Sequence, residues 1–351
     1  MISKPKMKKL IIVLILMIIV TLSCVFYRFL NPFFINLLSD RFNIVSSENN
    51  MLIHFIDVDQ ADAAAINLPD GKIMLIDTGS EEVNTSYVKY IKENVLHTKR
   101  NHYIDYLVLS HADMDHVGGT LKLLKTFEIG LIYLPKIASA SQGYQEILSF
   151  VENNCEYQIL GEEFCLQQNN YEITFFQILN NSNTNDSSQI VKVSGFGKSF
   201  LFTGDISSGV EQDYINEYGF DLDCDVLKVS HHGSSYSSSQ EFLEIVTPEY
   251  AVISVGKGND YGHPTYDLLQ RLNASGAQTI RTDKNGNIMF VLGVDYALKQ
   301  LSGNYYIFSL SLNYVWYVLF IDGVLLISCV VIIVKKDKNK HLSNWQLRIW
   351  F

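Results

Sequence analysis

The stretch SHADMDHVGG (residues 110–119) gathers His111, Asp113, Asp115 and His116 within six positions, directly after the apolar run YLVL (106–109). Aspartate and glycine are common in turns, but histidine adds no turn preference. Two carboxylates next to a buried strand would be costly without counter-charge, and a divalent cation removes that cost. The stretch therefore predicts a metal site rather than a polar turn.

Polar, metal-competent residues recur at the ends of β-rich runs. Such runs at 51–59, 72–79, 103–111 and 225–234 alternate with helical spacing at 84–97, 118–127 and 211–219. Asp205 ends a predicted hairpin at 189–205, and His263 precedes a helix with Pro264 at its start. Loops at strand ends can converge on one edge of a layered α/β domain, so we expect one shared site. A second hairpin is predicted at 279–293, around Asn285 and Gly286.

The remaining histidines of this region suggest no second site. His54 lies within a predicted strand and is expected to be a core or edge residue. His97 and His102 flank Lys99 and Arg100, which favours solvated positions.

Two long apolar runs predict membrane spans. The run at 10–27 carries no charge, the run at 314–334 contains only Asp322, and each could cross about 30 Å of hydrocarbon as a helix. Lysines precede the first run and follow the second, which places both termini in the cytoplasm. A cleaved signal peptide would need an A-x-A-like site, and none follows the first run. A lipoprotein processed at Cys24 stays open, and Asp322 is either functional or brought near an interface by tilt.

The predicted organisation is therefore a domain between two spans, facing out of a bacterial-type plasma membrane. Its parts are cytoplasmic tails at 1–9 and 335–351, transmembrane helices at 10–30 and 314–334, linkers at 31–50 and 297–313, and the domain at 51–296.

The charge of the middle region argues against one class of partner. Residues 29–321 hold 17 Lys and Arg and 35 Asp and Glu, a formal net charge of −18. Such a region repels polyanions at long range unless bound metal ions or local basic spots reverse the field. Cys155, Cys165 and Cys224 lie in this region without a disulfide framework, although a Cys155–Cys165 bridge is allowed.

Taken together, these motifs resemble the metallo-β-lactamase superfamily, and in particular the extracellular hydrolase domain of ComEC-type DNA-uptake proteins. The resemblance covers about residues 51–293 and rests on elements in one order: FIDVDQADAAAI, LIDTGS, SHADMDHVGG, NDSS, LFTGD, KVSHHGS, GNDYGHP and RTDKNG. It implies an αββα sandwich with a metal centre between the edges of two sheets.

The resemblance also implies two divalent ions, Zn²⁺ or Mn²⁺, and a set of metal ligands: His111, Asp113, Asp115, His116, Asp205, His231, His232 and His263. In this assignment Asp205 bridges the ions. Either His231 or His232 completes a shell, with His232 favoured for its place before Gly233.

Further roles follow from the same resemblance. Asp115 would orient a water nucleophile, while His263 or His231 assists the leaving oxygen. Asp62 and Asp77 would lie outside the ligand shell and orient the ligand side chains.

Departures from the family pattern concern both the rim and the ligand set. Asp59 and Ala61 replace glycines, and no histidine occurs between His116 and His231. An Asn/Ser element near Asn185 and Ser188 stands in that region, which makes Mn²⁺ a rival to Zn²⁺.

The expected function is a membrane-anchored hydrolase of phosphodiesters, with DNA among its candidate substrates. β-Lactam or lactone hydrolysis is a weaker option, and a non-catalytic accessory of a membrane uptake or export assembly is the alternative from another class. Arg281 or Lys284 would either contact a phosphate or form a structural turn, and HHGSSYSSS (231–239) would offer hydroxyls or be a flexible loop.

Overall fold

The computed structural model describes residues 44–46, 50–96, 103–178, 183–293, 298–302 and 306–308. Two large sheets dominate these ranges. The eight-stranded sheet has the spatial order β16 (Leu298–Ser302), β15 (Ile288–Leu292), β2 (Met51–Phe55), β3 (Ala64–Asn67), β4 (Ile73–Ile76), β5 (Tyr103–Val108), β6 (Glu128–Leu134) and β7 (Tyr157–Ile159).

The seven-stranded sheet has the order β14 (Gln278–Arg281), β13 (Tyr250–Ile253), β12 (Val226–Lys228), β11 (Lys198–Phe202), β10 (Ile190–Gly195), β9 (Tyr171–Phe176) and β8 (Phe164–Gln167). A short pair joins β1 (Ile44–Ser46) to β17 (Tyr306–Phe308).

Helices connect the strands on both sides. They are α1 (Asn84–Tyr90), which continues as a π-helical turn Ile91–Val95, α2 (Met114–Val117), α3 (Thr120–Leu124), α4 (Gln142–Asn154), α5 (Ser208–Tyr218), α6 (Gln240–Val246), α7 (Tyr266–Ala274) and α8 (Thr282–Asn285). Short 3₁₀ turns lie at Asn185–Ser187, Gly219–Leu222 and Ser230–Gly233.

Three apolar cores account for the layers. The central core lies between the sheets, where Phe55 stacks on Phe202 at 5.5 Å between ring centroids. A second core packs the first four helices on the eight-stranded sheet, and a third packs α5, α6 and α7 on the other sheet. Since each sheet is covered on both faces, central strands such as MLIHF (51–55) are buried at every position. The predicted α/β class with an αββα arrangement is confirmed.

One predicted hairpin is confirmed and the other is wrong. Strands β10 and β11 pair antiparallel around Phe196 and Gly197, whose φ angles of 51° and 70° suit a tight primed turn. Strands β14 and β15, in contrast, belong to different sheets: β14 pairs parallel with β13, and β15 pairs antiparallel with β2. The Asn-Gly pair ends the short helix α8 between them, and the turn residues carry no information about which sheet the next strand joins.

Several predictions fall outside the described residues. These are both predicted spans, both tails, most of each linker, Asp322, His97 and His102. Among the described residues, no helix combines the length and apolar character that crossing a membrane requires. Cys155, Cys165 and Cys224 are free thiols, so the allowed Cys155–Cys165 bridge is absent.

Candidate metal centre

The candidate site lies where parallel strands of the two sheets end. Strands β4, β5 and β6 run parallel in one sheet, as do β11 to β14 in the other. The loops that leave these strands carry the predicted site residues. Asp77 follows β4, the 111–116 cluster follows β5, Asp205 follows β11, and the two adjacent histidines follow β12.

Four side chains from both sheets converge there. Asp115, His116, Asp205 and His232 each offer a ligand atom, and these atoms lie within 4.8 Å of one another. His116 Nε2 is 3.2 Å from Asp205 Oδ1, and His232 Nε2 is 3.2 Å from Asp115 Oδ2 and 3.7 Å from Asp205 Oδ2. We call these four residues the outer group.

The two imidazoles are held so that Nε2 faces carboxylates. His116 Nδ1 donates to Asp77 Oδ2 at 2.7 Å, and His232 Nδ1 donates to the Ser254 carbonyl at 3.0 Å. A carboxylate and a carbonyl can only accept, so Nδ1 carries the proton in each ring. Each Nε2 therefore needs a second proton or a cation between it and the carboxylates that it faces.

His111 is oriented by a neighbouring hydroxyl. Ser110 Oγ donates to Asp77 Oδ2 at 2.7 Å, and His111 Nδ1 lies 3.1 Å from the same Oγ. Because the hydroxyl proton is used on Asp77, His111 Nδ1 is the donor, and its Nε2 keeps a free lone pair. This Nε2 is buried without a hydrogen-bond partner, and the His111 ring lies 4.0 Å from that of His116, centroid to centroid.

The donor set fits divalent metal ions. Buried polar atoms without a hydrogen-bond partner are concentrated here, among them His111 Nε2, His116 Nε2, Asp205 Oδ1 and His263 Nδ1. Buried polar groups normally have partners, so each such atom needs an explanation. Imidazole nitrogens mixed with carboxylate oxygens suit Zn²⁺ and also Mn²⁺.

Without a metal ion, protonation of histidines balances the charge of the buried carboxylates. Burial would lower the pKa of His232, but Asp205 and Asp62 more than offset it and raise this pKa to about 10. The pKa of His116 is raised in the same way, chiefly by Asp205 and Asp77 against burial. His111 differs, because burial and then His116 lower its pKa to about 4. Its neutral imidazole is ready to act as a ligand at neutral pH.

The other predicted ligands are not members of the outer group. His231 Nε2 is 3.9 Å from Asp205 Oδ2, and its ring is 5.9 Å from that of His263. Asp113 is the N-cap residue of α2, and its carboxylate is not part of the four-residue group. Between the two adjacent histidines, the geometry favours His232, which is buried and closer to both carboxylates.

The backbone around the site is unusual. Asp59, Asp77, His231 and His232 all have φ between 51° and 60°, a left-handed conformation that is uncommon for residues other than glycine. Such conformations cluster at functional sites, where the surrounding structure enforces them. Asp59 stands where the resembling family has glycine, and its φ of 60° shows why glycine suits this position.

The Asn/Ser element positions Asp205. The backbone N–H of Asp205 donates to Ser188 Oγ at 3.0 Å, and Ser188 Oγ donates to the Asn185 carbonyl at 2.6 Å. Ser207 N–H donates to Asp186 Oδ1 at 3.0 Å. The NDSS segment therefore anchors the TGD loop of the neighbouring strand.

Two residues of the site had no role in the sequence reasoning. Ser110 links Asp77 to His111, and its one signal was its place immediately before His111. Lys228 Nζ lies 2.5 Å from Asp62 Oδ2 and is buried. The signal for Lys228 was a lone lysine in the otherwise apolar run VLKV (226–229).

For two loops the sequence left two roles open, and the contacts of each loop argue against one of them. Arg281 makes a two-point ion pair with Asp283, with N–O distances of 2.9 and 2.6 Å, which supports the structural turn. The loop 234–239 is hydrogen-bonded rather than open, because Arg271 donates to the carbonyls of Ser235, Ser237 and Ser238.

Comparison with known proteins finds similar sequences and similar solved structures. Residues 56–166 match the metallo-beta-lactamase superfamily. ComE operon protein 3 of Bacillus subtilis is 29% identical over 262 residues, which cover 70% of this chain and 33% of that protein. Competence protein ComA of Neisseria gonorrhoeae is 35% identical over 190 residues, covering 54% of this chain and 26% of that protein.

Among solved structures, the metallo-beta-lactamase fold protein YhfI of Bacillus subtilis has 12% identity and a TM-score of 0.47, covering 73% of this chain and 100% of that one. The chain spans about a third or less of the length of the two competence proteins.

Proposed function

Since residues 56–166 match the metallo-beta-lactamase superfamily and the chain is similar to competence proteins, we propose that it is a metal-dependent hydrolase of phosphodiesters. The observation that carries the proposal is the outer group, in which Nε2 of two imidazoles faces two carboxylates. A polar turn would not bury His116 Nε2 and Asp205 Oδ1 without hydrogen-bond partners.

We propose that His111 and Asp113 would hold one ion and that Asp115, His116 and His232 would hold the other, while His231 and His263 would be further ligands or proton donors. Asp205 would contribute its carboxylate to both ion positions. Two divalent ions would supply an activated water and neutralise charge on the phosphodiester. Asp77 and Ser110 keep the rings of His116 and His111 turned toward this place.

The catalytic roles follow from exposure. Asp115 is the most exposed carboxylate of the outer group, so it can orient water that enters from solvent. His231 lies near Asp205 and belongs to a chain of ring contacts that runs through His263 to the exposed Tyr261. From there either imidazole can hold a proton near the leaving oxygen.

DNA is the first substrate to test, because the relative ComA is named a competence protein. The charge of −18 over residues 29–321 opposes tight, non-specific binding of a polyanion. Single-stranded DNA, duplex DNA and nucleotides should therefore be compared at several ionic strengths.

The test uses the full-length protein in detergent with bis(p-nitrophenyl)phosphate and added Mn²⁺ or Zn²⁺. Asp115→Asn and His232→Gln should each lower kcat/KM by at least about 100-fold, because each removes a group that stabilises the transition state. Asp213→Asn, on the exposed face of α5, is the matched control and should retain activity.

Two outcomes would contradict the hydrolase. A protein that binds no divalent ion would remove the metal centre altogether. A metal-loaded protein that is inert on every phosphoester would instead favour the non-catalytic accessory role.

We also propose that the chain is membrane-anchored with the domain outside the cell, from the two apolar runs and their flanking lysines. Cys165 is exposed, so a membrane-impermeant maleimide added to intact cells should label it. Cys165→Ser is the control for labelling at that position. Labelling that requires cell lysis would place the domain inside.

A further inference from the structure

Behind the outer group lies a second set of possible metal ligands. Carboxylate oxygens of Asp62 and Asp77 and a ring nitrogen of His116 lie within 4.8 Å of one another, and all three residues are buried. We call Asp62, Asp77 and Nδ1 of His116 the inner group. The two groups share His116, which offers Nε2 to the outer one and Nδ1 to the inner one.

The inner group contains an unsatisfied acceptor and a free space. Asp62 Oδ1 is buried and accepts no hydrogen bond, although His232 Nδ1, which donates to the Ser254 carbonyl, lies 3.3 Å away. A cavity of about 20 Å³ is lined by Asp62, Asp77, Ser110, Gln189 and Lys228, among others. A space of this size holds one water molecule or a comparable ion. A small cation could therefore enter without rebuilding the core.

A cation in the inner group would disturb the outer one. To bind there, it would displace the proton of His116 Nδ1 and break the 2.7 Å hydrogen bond to Asp77. That bond keeps His116 Nε2 turned toward Asp205. A protein that uses the outer group therefore gains from keeping divalent ions out of the inner one.

Lys228 is placed to do this. It is 4% exposed, and within the described part of the chain it is the one fully buried Lys or Arg. Its ammonium lies 2.5 Å from Asp62 Oδ2 and also donates to the Val229 carbonyl at 2.9 Å. An ammonium is a compact point charge, so it compensates a buried carboxylate much as a metal ion would.

We propose that Lys228 is a built-in cation that closes the inner group to divalent metal ions and so confines them to the outer group. The statement that ions are confined to the outer group rests on the proposed function. The statement that Lys228 keeps ions out of the inner group does not. It predicts the metal content of Lys228 variants independently of catalysis.

The experiment compares the full-length wild type with Lys228→Ala, Lys228→Arg and the double variant Lys228→Ala/Asp62→Asn. Each protein is dialysed against Mn²⁺ alone, and bound manganese is measured by mass spectrometry. Lys228→Ala should bind one more ion per chain than the wild type. Lys228→Arg and the double variant should match the wild type, since one keeps the cation and the other removes the carboxylate that the new ion needs.

Visible absorption with Co²⁺ in place of Mn²⁺ reports the ligand geometry directly. The Lys228→Ala spectrum should gain a component that is absent from the double variant. If Lys228→Ala shows the wild-type ion count and the wild-type Co²⁺ spectrum, the proposal is overturned, even if the variant unfolds at a lower temperature.

Two further outcomes stay informative. If Lys228→Ala is unfolded without metal, added Mn²⁺ should restore its folding at concentrations that leave the unfolding temperature of the double variant unchanged. A folding defect that Mn²⁺ does not relieve speaks against the proposal. If the wild type binds no ion, the proposed function fails, whereas an ion gained by Lys228→Ala and lost in the double variant still supports the role of Lys228.

Discussion

At the residue scale, the rings of His116 and His232 are each held by a partner from another strand end. Asp77 contacts both Ser110 and His116, and the Ser254 carbonyl holds His232. Partners of this kind fix the tautomer and the ring orientation of a ligand before any ion binds. The sequence identified the residue types, and these contacts decide which atom of each residue faces the site.

Asp59 offers a test of backbone strain at the rim. Its φ of 60° is left-handed, and its side chain is exposed. Asp59→Gly should be more stable than Asp59→Ala by about 1 kcal/mol, because glycine adopts this conformation without a steric penalty. Urea unfolding measures the difference. The control is Ala61→Gly compared with the wild type. This variant should lose stability, because Ala61 is buried and its φ is not positive.

The pKa of His232 gives a pH dependence for the metal-free protein. Its folded-state pKa is raised from 6.5 to about 10, against burial, by Asp205 and Asp62. The protonated form is therefore favoured by folding, so this stability is fully present below about pH 6.5 and is lost as pH rises through about 10. The expected slope is about 1 kcal/mol per pH unit in that window.

Chelator-treated protein unfolded in urea at pH 6, 8 and 9.5 measures this slope, which should flatten in His232→Gln. A slope that the variant leaves unchanged would assign the dependence to other groups.

At the scale of elements, the short helix α2 depends on the loop after β4. Four helical residues are too few to be stable alone. The loop supplies the missing contacts: Thr78 N–H donates to the His116 carbonyl at 2.7 Å, and Gly119 N–H donates to the Gly79 carbonyl at 3.0 Å. Asp115 and His116 are thereby placed by backbone hydrogen bonds to the DTG segment.

Gly118 tests this close packing. A Cβ on Gly118 would lie 2.6 Å from the backbone nitrogen of Glu81, and backbone cannot move aside cheaply. Gly118→Ala should therefore destabilise the protein by about 1–3 kcal/mol, as overpacking does, and weaken metal binding. Gly161→Ala is the matched control, since a Cβ there meets open space, and its change should stay within about 0.5 kcal/mol. Equal effects in urea unfolding would refute the packing argument.

At the scale of the whole molecule, the outer group joins the two halves of the sandwich. Asp115 and His116 follow β5 of the eight-stranded sheet, whereas Asp205 and His232 follow β11 and β12 of the seven-stranded sheet. A bound ion would therefore crosslink loops from both sheets in addition to the central apolar core.

Chelation should lower the unfolding temperature as a result. At a free metal concentration about 100 times Kd, binding to the folded state alone adds about 2.7 kcal/mol. Differential scanning fluorimetry with and without EDTA should show this loss, and Asp205→Asn should abolish the difference. The same shift in Asp205→Asn would place the bound metal elsewhere.

By itself the sequence determined the α/β class, the run of strand-end motifs and the chemistry of the donor set. These depend on local periodicity and residue type, which can be read without knowing what lies opposite. It could not place β15 in the eight-stranded sheet, pair Lys228 with Asp62, or choose His232 over His231 by distance. Those facts join distant positions, up to 241 residues apart for Met51 and Leu292 of the β2–β15 pair, and only tertiary packing brings such positions together.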